Sequence, residues 1–143
     1  MNVNMEMMGP ILAQVALSLV VLLYMASRRL PALAAQKPSP EKLQARKTYD
    51  EDLPAFARFP SENFKNLFEV PVLFFVLGFA AMITGLGGTM MVTLAWIFVG
   101  TRVVHSLIHC TYNNVMHRFL VFLMGVIVVI AMLLLLIMRF WMA

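Results

Sequence analysis

Four apolar runs, at about residues 9–26, 63–84, 89–110 and 118–137, each come close to the ~20 residues needed to cross a bilayer. Apart from one proline-broken polar stretch, they leave only short connections. Their backbone polar groups must be satisfied within each segment, so in lipid they have to be helices. The expectation is an all-α integral membrane protein, with four transmembrane helices in an up-down bundle. With 62% hydrophobic and 13% charged residues, the 143-residue chain lies well outside soluble composition. One domain accounts for residues 1–143 and leaves no room for a second core. The basic balance of +4 does not point to nucleic acid, because the cations stand beside apolar spans, where they set topology.

The first run does not read as a cleaved signal peptide. Residues 1–8 carry no Lys or Arg, Glu6 is acidic, and Arg28-Arg29 follow like a stop-transfer signal. Residues 27–62 then form a long polar connection. Pro31, Pro38, Pro40, Pro54 and Pro60 argue against one continuous helix there. A short helix over 40–49 is expected, with Ser39 as its cap, and Asp50-Glu51-Asp52 reads as solvated loop. Gly85–Gly88 makes a tight turn, not a phosphate loop, since no Lys-Ser/Thr follows. Nine cations lie on the side of the long connection and Arg139 alone lies opposite. This bias puts residues 27–62 in the cytoplasm and both termini outside.

Two polar faces interrupt the apolar spans. Asn66 and Glu69 open the second, three residues apart and thus on one helical face, with Pro71 just beyond. An ionisable group there marks a functional site or a partner in the bundle. On the third span Arg102, His105, His109 and Tyr112 fall within an arc of about 80°, which Asn113 widens to about 100°. Arg118 opens the fourth span at the same level. Interhelical hydrogen bonding is the plain reading of such groups. Two arginines and two histidines nevertheless exceed what one carboxylate neutralises, and an anionic ligand would supply the missing charge. No metal site is expected: His105 and His109 have i, i+4 spacing, but neither an HExxH pattern nor a third ligand accompanies them. The single cysteine, Cys110, excludes an internal disulfide, and the 13 methionines fit gap filling.

Four spans, a long first connection, Asn66-x-x-Glu69 with Pro71, and Arg102-x-x-His105 resemble the MAPEG proteins of eicosanoid and glutathione metabolism, which include the microsomal glutathione transferases. The resemblance covers about residues 59–122. It implies a homotrimer of four-helix bundles with glutathione as the bound thiol between protomers, and a transferase or peroxidase acting on lipophilic electrophiles reaching the site through the bilayer. Arg118, which would stabilise the thiolate, and Tyr112 are the catalytic candidates it implies. Lys65, Asn66, Glu69, Arg102, His105 and His109 are the glutathione-binding ones. Arg102 and Lys65 would hold carboxylates, and Glu69 would take the ammonium group or orient Arg102. Departures from the family pattern are Glu62, where well-characterised members carry arginine, Arg58 beside the place of another, and His109, where tyrosine is frequent. Two other readings compete: a non-catalytic protein keeping this fold for a structural or interaction role, and a small proton-coupled multidrug exporter.

Overall fold

The computed structural model describes residues 4–44 and 52–142, all in helices and their connections. After a single 3-10 turn at Met5–Met7 come α1 (Met8–Gln36), α2 (Pro40–Gln44), α3 (Ala55–Asn66), α4 (Val70–Thr84), α5 (Gly88–Cys110) and α6 (Val115–Met142). Four stretches are long and apolar enough to cross a membrane: Met5–Gln36, Ala55–Thr84, Gly88–Cys110 and Val115–Met142. The chain is thus an integral, multi-pass membrane protein.

The polar connection is more helical than its prolines suggest. α1 passes through Pro31, an exposed residue, and stops only at Gln36, where Lys37 takes a left-handed conformation (φ 43°). At 1.5 Å per residue its 29 residues reach about 43 Å, well beyond a ~30 Å hydrocarbon core. That leaves about 13 Å outside the core, and Arg28 and Arg29 assign it to the C-terminal turns. There Ala32 of α1 packs against Ala57 of α3 and Leu53 just before it, and the Arg29 guanidinium donates to the Ser61 hydroxyl at 2.8 Å. Pro60, inside α3, would have donated to Phe56 in the first helical turn, so one early hydrogen bond is lost and the helix survives. α2 begins at Pro40 as expected. The expected remainder, 45–49, and the acidic residues 50–51 lie outside the described residues.

The second span is where the sequence reading needs correcting. It is not one helix: α3 ends at Asn66, residues 67–69 turn, and α4 starts at Val70. Pro71 explains the break, because it cannot donate to the Leu67 carbonyl and its ring would crowd that oxygen. Glu69 becomes the residue before α4, at φ −96° and ψ −93°. Asn66 and Glu69 therefore do not share a continuous helical face, although both remain at the break. At the opposite end of α4, Gly85 closes the helix with φ 69°, a conformation that side chains disfavour, and delivers the chain to α5.

The core joins Met7 and Ile11 to Phe74 and Ala81 of α4, Ala95, Phe98 and Val99 of α5, and Val129 and Met132 of α6. Phe74 and Phe98 stack with centroids 4.6 Å apart and rings 17° from parallel, a contact worth about 0.5–1.5 kcal/mol beyond burial. Lipid tails are as apolar as these side chains, so close packing rather than water exclusion holds the helices together.

Candidate functional site

The site lies where α3 gives way to α4 and α5 gives way to α6. The turn between α5 and α6 is built by two asparagines with different tasks. Asn113 adopts the left-handed region (φ 47°), which asparagine tolerates better than most residues. Asn114 caps α6, its Oδ1 accepting from the backbone N–H groups of Met116 (3.0 Å) and His117 (3.1 Å). Arg118 follows in the first turns of α6, half-buried. Its Nη1 donates to Asn113 Oδ1 at 2.7 Å and to His109 Nε2 at 3.2 Å.

A guanidinium can only donate, so His109 must accept at Nε2 and carry its proton on Nδ1. His105 is fixed in the same way from the other side. Its Nδ1 lies 3.2 Å from the Arg118 carbonyl oxygen, which can only accept, so Nδ1 carries the proton and Nε2 keeps a lone pair. That Nε2 is buried and has no partner among the described residues.

Asn66, Glu69, His105, Val115, Arg118, Phe119 and Phe122 line a cleft of about 240 Å³. Glu69 is exposed at its edge and makes no ion pair with Arg102 or Arg118 among the described residues. The starts of α4 and α6 both face this region, and helix N-termini favour negative charge. The cleft therefore combines a guanidinium, two helix starts, one lone-pair nitrogen and one unpaired carboxylate.

Four of the expected residues, Asn66, Glu69, His105 and Arg118, thus come together on the lining, with His109 behind Arg118. Arg102 is placed differently. It is 1% exposed, and its guanidinium lies 5.4 Å from the Phe98 ring centroid and 5.3 Å from that of Phe122. Nη2 donates to the carbonyls of Val121 (3.2 Å) and Phe122 (3.3 Å), and Nε lies 3.5 Å from the Thr101 hydroxyl. It ties α5 to α6 one turn beyond Arg118 and does not line the cleft. Lys65 is exposed and adjoins Asn66 without lining the cleft. Tyr112 is also outside it: α5 ends at Cys110, so the face drawn through Tyr112 and Asn113 does not continue as a helix. The tyrosine is 62% exposed and its hydroxyl pairs with His117 Nδ1 at 3.1 Å.

Two buried amides escaped the sequence reading. Asn63, fully buried, accepts from the Ser106 hydroxyl at 3.4 Å and donates to Cys110 Sγ at 3.5 Å, joining α3 to α5. Gln14 is buried in α1, with neither amide atom bonded to another described residue. Both are amides within apolar runs, and that signal alone would have found them. Among the described residues no group of three His, Cys, Asp or Glu side chains could hold a metal ion.

The MAPEG family model matches residues 7–138, and the chain belongs to the MAPEG family. No curated protein and no solved structure matched it. It is accordingly a four-helix membrane protein of the family of glutathione and eicosanoid metabolism.

Proposed function

We propose that this MAPEG protein is a glutathione-dependent transferase or peroxidase acting on lipophilic electrophiles, and that it works as a homotrimer. The observation carrying this reading is the anchored Arg118 guanidinium beside an unpaired Glu69 in one cleft. The residues present fit a zwitterionic thiol peptide. Arg118 meets negative charge, Glu69 takes an ammonium group, Asn66 offers both amide functions, and His105 Nε2 is a buried acceptor awaiting a donor. Ligand sites are commonly 300–1,000 Å³, so about 240 Å³ is less than a whole site. A wall supplied by a neighbouring copy would complete it, which supports the trimer.

When bound, glutathione supplies the nucleophilic thiol. A free thiol has a pKa near 8.5 and is mostly protonated at neutral pH. Arg118 stabilises negative charge at sulfur, aided by the start of α6. His105 Nε2 accepts a hydrogen bond at the cleft. His109 and Asn113 act through Arg118 by holding its guanidinium in place, and Arg102 positions the segment of α6 that carries Phe122. Lys65, at the exposed edge beside Asn66, meets a peptide carboxylate. Val115, Phe119 and Phe122 form the apolar wall on which the electrophile arrives from lipid.

Calorimetric titration of the purified protein with glutathione, with conjugation of a lipophilic aryl halide assayed in parallel, tests the proposal. Saturable binding with turnover is expected. No binding at millimolar glutathione in either wild type or Glu62→Arg, which restores the family arginine, would overturn it.

A further inference from the structure

A second cavity lies away from the cleft. Leu17, Val20, Val21 and Tyr24 of α1, with Val103, Ser106, Leu107, Cys110 and Thr111 at and beyond α5, enclose a groove of about 320 Å³. Position along both helices increases in the same direction, so α1 and α5 run parallel here. The α1 side, from Leu17 to Tyr24, is roughly 10 Å long. Apart from the Tyr24 hydroxyl at one end, its side-chain oxygens and sulfur are already engaged. The Ser106 hydroxyl donates to Asn63, the Thr111 hydroxyl to the Leu107 carbonyl at 2.6 Å, and Cys110 Sγ accepts from Asn63. Short of that end, the groove therefore presents an apolar wall. Left unfilled it would forfeit dispersion contacts, and in a bilayer an alkyl chain is the filler at hand.

One end of the groove is not apolar. Tyr24 closes it, and the Arg28 guanidinium lies 5.2 Å from the centre of the Tyr24 ring. Arg28 is exposed and follows the apolar run of α1, and arginines in such places mark a membrane interface. An alkyl slot ending under a cation at the membrane interface matches one chemistry, a chain carrying a negatively charged headgroup. We propose that the groove between α1 and α5 holds an acyl chain of an anionic phospholipid whose headgroup pairs with Arg28. This site is independent of the cleft at Arg118 and of the reaction proposed there.

The test uses the full chain in a zwitterionic detergent, titrated with phosphatidylglycerol or phosphatidylcholine of matched chains. Native mass spectrometry counts lipid retained per chain, and alkylation of Cys110 by N-ethylmaleimide reports groove occupancy, since Cys110 is the sole cysteine. Phosphatidylglycerol should be retained and should slow alkylation. Arg28→Gln should weaken its binding about five- to tenfold and erase the preference over phosphatidylcholine. Leu107→Trp, a change at a lipid-exposed position that fills the groove, should abolish retention. Equal retention of both lipids, or phosphatidylglycerol binding unchanged in Arg28→Gln, would overturn the proposal. So would Cys110 protection that rises with protein concentration without lipid, because a second copy would then occupy the groove.

Discussion

Gly125 on α6 gives the sharpest test of how the two arginine-bearing helices are joined. A Cβ at that position would stand 2.9 Å from Arg102 Cζ and from Thr101 Oγ1, and closer still to Nη2. The guanidinium has little freedom to yield, because it is sandwiched between Phe98 and Phe122 and donates to two carbonyls from Nη2. Gly125→Ala must therefore expel the guanidinium or open the α5–α6 crossing. Expulsion forfeits a hydrogen bond from a charged group, about 1.5–3 kcal/mol, and cation–π contacts of about 0.5–2 kcal/mol. Alanine's better helix propensity returns up to about 1 kcal/mol. The net expectation is destabilisation by about 1–5 kcal/mol, measured by unfolding in SDS–detergent mixtures followed by circular dichroism. In an Arg102→Met background only the contact with Thr101 Oγ1 remains, and the same Gly125→Ala should cost less. The double-mutant cycle isolates the coupling. Gly125→Ala stabilising the wild type, or costing the same in both backgrounds, would refute the clamp.

Arg118→Ala should raise the pH needed for thiol attack and slow it roughly ten- to 150-fold, the equivalent of losing about 1.5–3 kcal/mol, with assembly intact; stopped-flow thiolate absorbance and size exclusion check both halves. His109→Phe removes one of the two acceptors holding Arg118, so it should lower turnover more than it weakens glutathione binding, read from kcat and KM separately. Alkaline phosphatase fused after Ala143 should be active, and a silent phosphatase with an active cytoplasmic reporter would reverse the topology. Native mass spectrometry should show three protomers, and a fully active monomer would exclude a shared site.

What the sequence made legible follows from what periodicity and hydropathy encode. The four spans emerge because each apolar run satisfies its own backbone, and the α4–α5 turn because Gly85 takes a conformation other residues avoid. Helix ends in the polar stretch were harder to read. Pro31 and Pro60 lie inside helices, where each removes one donor without ending the element, whereas Pro71 coincides with a real break. A proline supplies the same signal in all three places, so residue identity alone does not separate them. Spacing correctly grouped Arg102, His105 and His109 on one side of α5, since all three are buried. It could not show that Arg102 meets backbone carbonyls of α6, because those atoms leave no trace in residue identity. Tyr112 failed for a related reason: the 100° rule holds only while the helix lasts, and α5 ends two residues earlier.

The manner in which the arginines are satisfied bears on whether these polar faces bind a ligand or merely glue helices. A structural cation in a membrane protein is commonly balanced by a carboxylate, which cancels its charge. Here Arg102 is held by carbonyl oxygens and Arg118 by an amide oxygen and a neutral imidazole. Neutral acceptors fix a guanidinium's position while leaving its full positive charge in place. Glu69, the carboxylate closest in sequence to this cluster, stays exposed at the cleft edge instead of pairing inward. Pairing it with Arg118 would cost the site both its anion-attracting charge and its cation-attracting one. Keeping the two apart across one cleft preserves complementary charges for a zwitterion. That arrangement is what the proposed zwitterionic ligand requires, whereas in a helix–helix contact the ion pair would be the simpler solution.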